Sequence, residues 1–257
     1  MNFLNIPGRP LGEAGFEAIA LAGKTGFICR QTWNLFFAKG TFRWRHKQLH
    51  SLIKNGYLKP HANQEVKNIY VLGQRGKDLL KSKNLGFVMP PMLHTVTHDR
   101  VLMQSLFRLA SRGFVANWNT EAELKKENFG DWGIRVKNNK IKYPDATAEI
   151  SVAGKVRLVA FEYEKERKSF SRYRDILFSY AQQSTYSMIL YICETEAIKM
   201  ALVKTMAKIR STNLESRIGF VDADSWKSNP ESAPISLRGG VIKLIDICKV
   251  DHNKFAV

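Results

Sequence analysis

The chain has 257 residues, of which 44% are hydrophobic, so it is expected to fold into one large or two ordinary domains and not to be disordered. Its net charge of +17 is concentrated in residues 1–86, which carry 14 Lys and Arg against 4 Asp and Glu, and this favours a polyanion such as nucleic acid as partner. Three scattered cysteines argue against a zinc site, and the lack of an apolar run of about 20 residues leads us to expect a cytoplasmic protein without membrane insertion.

Residues 1–86 are predicted to form three helices, a two-stranded ribbon and a fourth helix. The helices are predicted at 12–23, 29–38, 42–55 and 74–83, and the strands around 56–60 and 68–72. This order is that of a winged helix-turn-helix domain, whose third helix reads duplex DNA. In that helix an apolar stripe is expected, formed by Phe42, Leu49, Leu52 and Ile53, and Trp44 is expected to belong either to the core or to a contact with a base. The residues expected to bind DNA are Arg43, Arg45, Lys47, His50 and Lys54.

A linker is predicted at 87–97, where Pro90 and Pro91 accompany a shift in composition. A second domain is predicted over 98–257, with strands that alternate with helices after an antiparallel start. Its helices are predicted at 98–112, 170–183 and 195–209, and its strands at 114–120, 187–194 and 217–222, with a loop after residue 120, a hairpin around residue 153 and a last strand near the C-terminus. The expected fold class is α/β (α+β), a mixed β-sheet flanked by helices.

The hairpin gathers three carboxylates in a basic chain, within the segment YPDATAEISVAGKVRLVAFEYEKERKSFSRY. Strand residues alternate between faces, so Glu162 and Glu164 should project from one face. A turn at Ala153-Gly154 would place Asp145 opposite Glu162, with side-chain roots about 5 Å apart. Such a pair needs a positive charge between its members, and oxygen ligands of this kind suit Mg²⁺. A solvated, ion-paired hairpin end is the competing interpretation, and a one-residue shift would turn Asp145 to the far face.

These residues resemble two related families. Pro144-Asp145 followed by Glu162-Tyr163-Glu164 is similar to the PD-(D/E)xK core of type II restriction enzymes. A narrower pattern resembles the replication-relaxation group of plasmid and mobile-element proteins, which includes MobC-type relaxases with a winged helix ahead of a restriction-endonuclease-like domain. That pattern consists of Glu162, Glu164, Lys168, Ser169, Arg172 and Tyr173, and the earlier His98-Asp99 is similar to a further signature of the group.

The resemblance implies an endonuclease that nicks double-stranded DNA at a transfer origin with Mg²⁺ or Mn²⁺ and without a phosphotyrosine intermediate. Asp145 and Glu162 would bind the metal, and Glu164 would be a third ligand or a base. Lys168 would orient the nucleophile or stabilise the phosphorane. Arg172 would contact phosphate, and accessory mobilisation or coupling proteins would be further partners. Additional residues considered for the site are His98, Asp99, Glu121 and Tyr173.

Two other functions stay open at this point. Glu164 stands where most PD-(D/E)xK enzymes have Lys, which leaves the general base unidentified and permits a DNA-binding regulator or replication protein whose nuclease fold does not cut. The charge alone also permits an RNA-binding nuclease. ATP binding is not expected, because no glycine pattern of a phosphate-binding loop occurs in the chain.

Overall fold

The computed structural model describes residues 11–61, 68–127, 132–136 and 140–248. The chain divides into two compact units, residues 1–97 and residues 98–256, which are called the N-terminal unit and the C-terminal unit below. The predicted linker, 87–97, falls at the end of the N-terminal unit. Among the described residues, no helix is both long and apolar enough to cross a membrane.

The N-terminal unit combines short helices with a three-stranded antiparallel sheet in the order β1-β3-β2. Its elements are α1 (Glu13–Thr25), β1 (Ile28–Cys29), α2 (Arg30–Thr32), which continues as a π-helical turn (Trp33–Phe37), α3 (Phe42–Lys54), β2 (Leu58–Pro60), β3 (Ile69–Leu72) and α4 (Gln74–Ser82). The predicted ribbon is therefore β2 and β3, and β1 joins it because Ile28 pairs with Tyr70. Helix α1 ends at Gly26, whose φ of 84° favours glycine. A side chain at this position would also place its Cβ only 2.5 Å from the Met89 carbonyl oxygen.

The third helix begins at a cap and buries a narrow stripe. Thr41 accepts a hydrogen bond from the Trp44 N–H, which fixes the start of α3. Leu49 and Leu52 are buried, as predicted, whereas Phe42 is 71% exposed. The buried part of the predicted apolar stripe therefore does not extend to Phe42. As the first residue of α3, Phe42 has no preceding helical turn to pack on.

The C-terminal unit contains a seven-stranded mixed sheet in the order β12-β11-β10-β9-β8-β7-β4. Its elements are α5 (Leu93–Ser111), which begins in the N-terminal unit, β4 (Ala116–Thr120), α6 (Glu121–Lys126), β5 (Ile134–Val136), β6 (Lys140–Lys142), β7 (Ala146–Val152), β8 (Lys155–Glu164), α7 (Phe170–Gln182), β9 (Met188–Cys193), α8 (Glu196–Ile209), α9 (Thr212–Arg217), β10 (Ile218–Asp222), α10 (Ala223–Ser228), β11 (Ile235–Leu237), β12 (Gly240–Ile242) and α11 (Leu244–Ile247). Strands β8, β9 and β10 are parallel, whereas the other neighbours in this sheet are antiparallel.

Helices cover both faces of this sheet. On one face α7, α8 and α9 pack on alternate residues of the central strands, among them Ala160 of β8 and Tyr191 of β9. On the other face Trp226 of α10 packs against Phe161, with ring centroids 6.0 Å apart. The predicted mixed α/β sheet flanked by helices is confirmed. The carboxyl ends of three parallel strands meet at one edge, which is where sites form in sheets of this kind.

Some boundaries differ from the predictions. The helix predicted at 98–112 begins at Leu93, five residues earlier, after Pro90 and Pro91. The loop predicted after residue 120 contains α6, because Thr120 and Glu123 form a reciprocal capping box. The last predicted strand is a pair, β11 and β12, that turns between Leu237 and Gly240.

Candidate active site at the end of the central strands

The hairpin of β7 and β8 has the predicted register. Ala146 pairs with Phe161 and Val152 with Lys155, so the chain turns at Ala153 and Gly154. These two residues have φ of 50° and 77°, the positive values that a type I′ turn requires. Continuing the register by one residue places Asp145 opposite Glu162. The side chain of Asp145 points into the site, where Oδ2 accepts the backbone N–H of Tyr163 at 2.9 Å.

Asp145 is held by a histidine from α5. The Nε2 of His98 lies 3.1 Å from Oδ2 of Asp145, and its Nδ1 lies 3.1 Å from Oδ1 of Asp99. Burial disfavours the protonated imidazole, but its hydrogen bonds to these two carboxylates prevail and raise the pKa of His98 to about 10. Burial also disfavours the Asp145 carboxylate, yet the hydrogen bond from His98 and the charge of Lys142 lower the pKa of Asp145. The sequence-predicted pair His98-Asp99 therefore lies beside the proposed ligand.

Glu162 is buried and paired with a lysine that sequence reasoning missed. Both its carboxylate oxygens accept hydrogen bonds from Lys142 Nζ, at 2.6 and 2.8 Å, and Oε1 also accepts the Tyr180 hydroxyl at 2.5 Å. Burial raises the pKa of Glu162 to about 7, and Lys142 offsets part of that effect. Burial disfavours the Lys142 ammonium, but Glu162 and then Asp145 attract it, and its pKa is raised. Lys142 ends β6, and its sequence neighbourhood contains several lysines that no pattern distinguishes.

Glu164 has its own lysine. Lys168 forms an ion pair with Oε2 of Glu164 across the four-residue spacing that precedes α7. Burial raises the pKa of Glu164, and the positive charge of Lys168 offsets part of that rise. The Lys168 ammonium also lies 5.8 Å from the ring centroid of Tyr173, whose side chain is buried. Tyr173, considered above as a site residue, is thus a packing residue of α7 beside the ion pair.

The three carboxylates influence one another but do not form a shared cage. The charge of Asp145 contributes to raising the pKa of both Glu162 and Glu164. Within the described parts of the chain, however, no three His, Cys, Asp or Glu side chains are arranged to hold one ion. The predicted convergence of all three acids is not seen, because Glu164 turns to Lys168.

Two of the acids do fit a divalent cation. The Lys142 ammonium is bound by Glu162 and attracted by the charge of Asp145, so a positive charge already compensates the acid that a metal would bind. Mg²⁺ commonly uses one or two carboxylates and completes its shell with water and phosphate. Beside them the buried hydroxyl of Tyr191 has no hydrogen-bond partner among the described residues, which leaves polar capacity within the site. A metal here has to displace Lys142 from Glu162.

Two further predicted residues lie at the surface of the C-terminal unit. Glu121 pairs with Lys125 of its own helix at 2.8 Å, its backbone N–H donates to the Asp145 carbonyl, and its charge contributes to raising the pKa of Lys142. Its role as a further site acid stays a prediction. Arg172 is exposed in the first turn of α7, four residues beyond Lys168.

The basic residues of α3 divide into two sets. Four of them are exposed and recur at spacings of four, three and four residues, which places them along one face: Arg43, Lys47, His50 and Lys54, called the basic stripe below. Arg45 does not belong to this face. It is half-buried, and its Nε donates to the Gly40 carbonyl at 2.9 Å, which ties α3 to the preceding loop, while its DNA contact stays a prediction.

Comparisons with known proteins return no relative, since the chain matches no family model, no curated protein and no solved structure.

Proposed function

We propose that this protein is a metal-dependent DNA endonuclease that nicks one strand, with a winged-helix DNA-binding domain over residues 1–86. The observation that carries the proposal is the hairpin register that brings the carboxylates of Asp145 and Glu162 to the end of β8, where the charge of Asp145 raises the pKa of Glu162. Following the motif resemblance, the substrate is DNA at the transfer origin of a plasmid or mobile element, and the reaction is hydrolysis of a phosphodiester. A cytoplasmic location belongs to the same proposal.

The DNA-binding part rests on the N-terminal unit. Its helices precede and follow a small antiparallel sheet in the order expected of a winged helix, and its third helix carries the exposed basic stripe. Lys and Arg on such a face neutralise phosphates and release counterions, which provides affinity without sequence preference. The N-terminal segment therefore supplies binding, and the acids of the C-terminal unit supply chemistry.

In the proposed reaction each side chain has a separate task. Mg²⁺ or Mn²⁺, when bound, would polarise the phosphate and lower the pKa of water. Asp145 and Glu162 would hold the ion, and His98 keeps Asp145 ionised and oriented through its Nε2. The buried carboxylate of Glu164 has a raised pKa, which suits it to accept a proton. Lys168, bonded to Glu164, would place its positive charge beside the developing charge on the phosphate.

One observation favours a second function, a DNA-binding regulator or replication protein that does not cut. Both glutamates are already paired with lysines, Lys142 and Lys168, and a site saturated in this way needs no metal to be stable. If a metal cannot displace Lys142, the nuclease-like domain would not cut DNA, and the protein would only bind it. The two functions are separated by a cleavage assay.

The test uses supercoiled plasmid that carries the DNA flanking the protein's own gene. With Mn²⁺ the wild-type protein is expected to convert it to the open circular form, and Asp145→Asn and Glu162→Gln are expected to lose at least about a hundredfold in rate. Glu196→Gln is the matched control, because Glu196 is an exposed acid of the same unit that pairs with Lys199 on its own helix. Absence of nicking by wild type, or nicking by Asp145→Asn at the wild-type rate, would contradict the proposal.

A further inference from the structure

The surroundings of α3 are depleted of acid. Between Glu17 and Glu65 the sequence contains no Asp or Glu, whereas it contains eight Lys and Arg and three His. The basic stripe lies within this segment and faces solvent. A surface of this composition attracts a polyanion and repels a cationic partner. Its positive field provides no attraction for an uncharged apolar partner.

Two aromatic side chains are exposed in the first turn of the same helix. Phe42 is 71% exposed and Trp44 47% exposed, and they flank Arg43 of the basic stripe. Single exposed apolar residues are common, but two large aromatic rings that project on either side of Arg43, on a helix whose exposed face is basic, indicate a binding surface.

The indole of Trp44 lies close to Gly40 and is about half exposed. Gly40, with φ 87°, lies beneath it, and a Cβ at Gly40 would stand 3.2 Å from Cδ1 of Trp44. The cap at Thr41 fixes the backbone of this turn, so the ring has a defined place while half of its surface stays open. A ring that is held in place and half exposed is suited to stacking on a planar partner.

We propose that Phe42 and Trp44 stack on unpaired bases of DNA while the basic stripe holds the adjacent phosphates. This rests on the DNA-binding part of the proposed function. In a closed duplex the flat faces of the bases are covered by their neighbours, and only edges and methyl groups reach the grooves. Aromatic rings therefore gain most where base pairs are open, since every base offers a face for stacking. The N-terminal unit would prefer a locally opened duplex or a single strand to a fully paired site.

The experiment measures binding of full-length protein to three fluorescently labelled DNAs by anisotropy, in EDTA and at one salt concentration. The DNAs are a 30-nucleotide single strand, its perfect duplex, and the same duplex with a central unpaired bubble. We expect Phe42→Ala and Trp44→Ala each to weaken binding to the single strand and the bubble about tenfold, and to the perfect duplex less than twofold. Lys47→Ala should weaken all three alike, because phosphates are common to them.

Leu35→Ala is the matched control, since Leu35 is also exposed, at 61%, but lies on the preceding π-helical turn. It should leave all three affinities unchanged, and circular dichroism should show each variant folded. If the ring variants lost equal affinity for the perfect duplex and for the bubble, the inference would be overturned. Unchanged DNA affinity together with altered self-association would also overturn it, because the rings would then contact a second copy of the chain. Tighter, ring-dependent binding of the same sequence as RNA would overturn it too.

The result is separable from the nuclease proposal because binding is measured without divalent metal. Ring-dependent binding of bubble DNA by a protein that never nicks would refute the nuclease proposal and leave this inference standing. Normal nicking by Phe42→Ala and Trp44→Ala, without any loss of bubble affinity, would refute only the inference.

Discussion

At the scale of single residues, the candidate site is a set of buried charges that compensate one another. Glu162 and Glu164 each have a lysine partner, and Asp145 has a histidine. A buried carboxylate without a partner would be strongly destabilising, so each cation stabilises the fold as well as adjusting the acid beside it. Removing any one cation therefore changes both the stability and the protonation of the site.

The charge of His98 should make stability depend on pH. Its pKa is raised from an ordinary 6.5 to about 10 in the folded protein, so the folded state favours the protonated form. Its contribution is fully present below pH 6.5 and is lost as the pH rises through 10. In urea unfolding with EDTA, the difference in free energy of unfolding between wild type and His98→Gln should shrink from pH 6 to pH 10.

A matched control for that titration is His50→Gln, because His50 is an exposed member of the basic stripe. The free energy of unfolding of His50→Gln should stay close to that of wild type at every pH of the series. A His98→Gln difference that is constant across the range would show that His98 is not charged in the folded protein.

Lys142 should compete with metal for Glu162. Lys142→Met removes the ammonium that now binds both Glu162 oxygens, so Mn²⁺ affinity measured by titration calorimetry should rise at least about tenfold. Without metal the same variant should lose about 3–5 kcal/mol of stability, because a buried charge is left unpaired. Lys155→Met, at the exposed end of β8, is the control for both measurements. Weaker Mn²⁺ binding by Lys142→Met would show that Lys142 does not occupy the metal position.

At the scale of elements, the β7–β8 hairpin positions Asp145 against the end of β8. The type I′ turn sets the register, and the register sets which carboxylates meet. Ala153 holds a positive φ of 50° there, a conformation that costs a residue with a Cβ about 1–2 kcal/mol. The hairpin therefore contains local backbone strain at Ala153, in the turn that sets the register of the site.

Relieving that strain should stabilise the protein. Ala153→Asn creates the Asn-Gly pair that type I′ turns prefer, and it should raise the free energy of unfolding by about 1 kcal/mol. Gly154→Ala should lower it by a similar amount, although no atom lies within 4 Å of the added Cβ, because the cost is in the backbone. Chemical denaturation measures both. Destabilisation by Ala153→Asn would mean that the chain turns elsewhere.

Local patterns were sufficient to predict most elements and half of the site. Alternation along β8 and the glycine at the turn predicted the face of Glu162 and the place of Asp145, because both depend on periods of two residues. Lys142 could not be predicted, since the β5–β6 ribbon is brought to Glu162 by contacts with α7, such as the hydrogen bond that the Ser179 hydroxyl donates to the Arg135 carbonyl. The exposure of Phe42 was missed for a related reason, as helical period alone does not show where a helix leaves the core.

At the scale of the whole molecule, the proposed DNA binding and the proposed cleavage fall in different compact units. The basic stripe lies in the N-terminal unit, and the acids lie in the C-terminal unit. The excess positive charge is largest in residues 1–86, so electrostatic attraction should be supplied mainly by that segment. Substitutions in one unit should therefore leave the other task intact.

The salt dependence of duplex binding tests this separation. Lys47→Ala should reduce the slope of log affinity against log salt by about 1, because one phosphate contact is lost. Asp145→Asn should bind duplex DNA with the wild-type slope while losing cleavage. If Asp145→Asn lowered the slope as much as Lys47→Ala, binding and cleavage would share one surface, contrary to the assignment.

The most direct measurement of the central claim is a crystal structure of the protein grown with Mn²⁺, with data collected at the manganese absorption edge. The account predicts one anomalous peak bound by Asp145 and Glu162, with Lys142 Nζ moved out of hydrogen-bond distance of Glu162. Absence of a peak between these carboxylates at saturating Mn²⁺, with Lys142 still bonded to Glu162, would contradict the account.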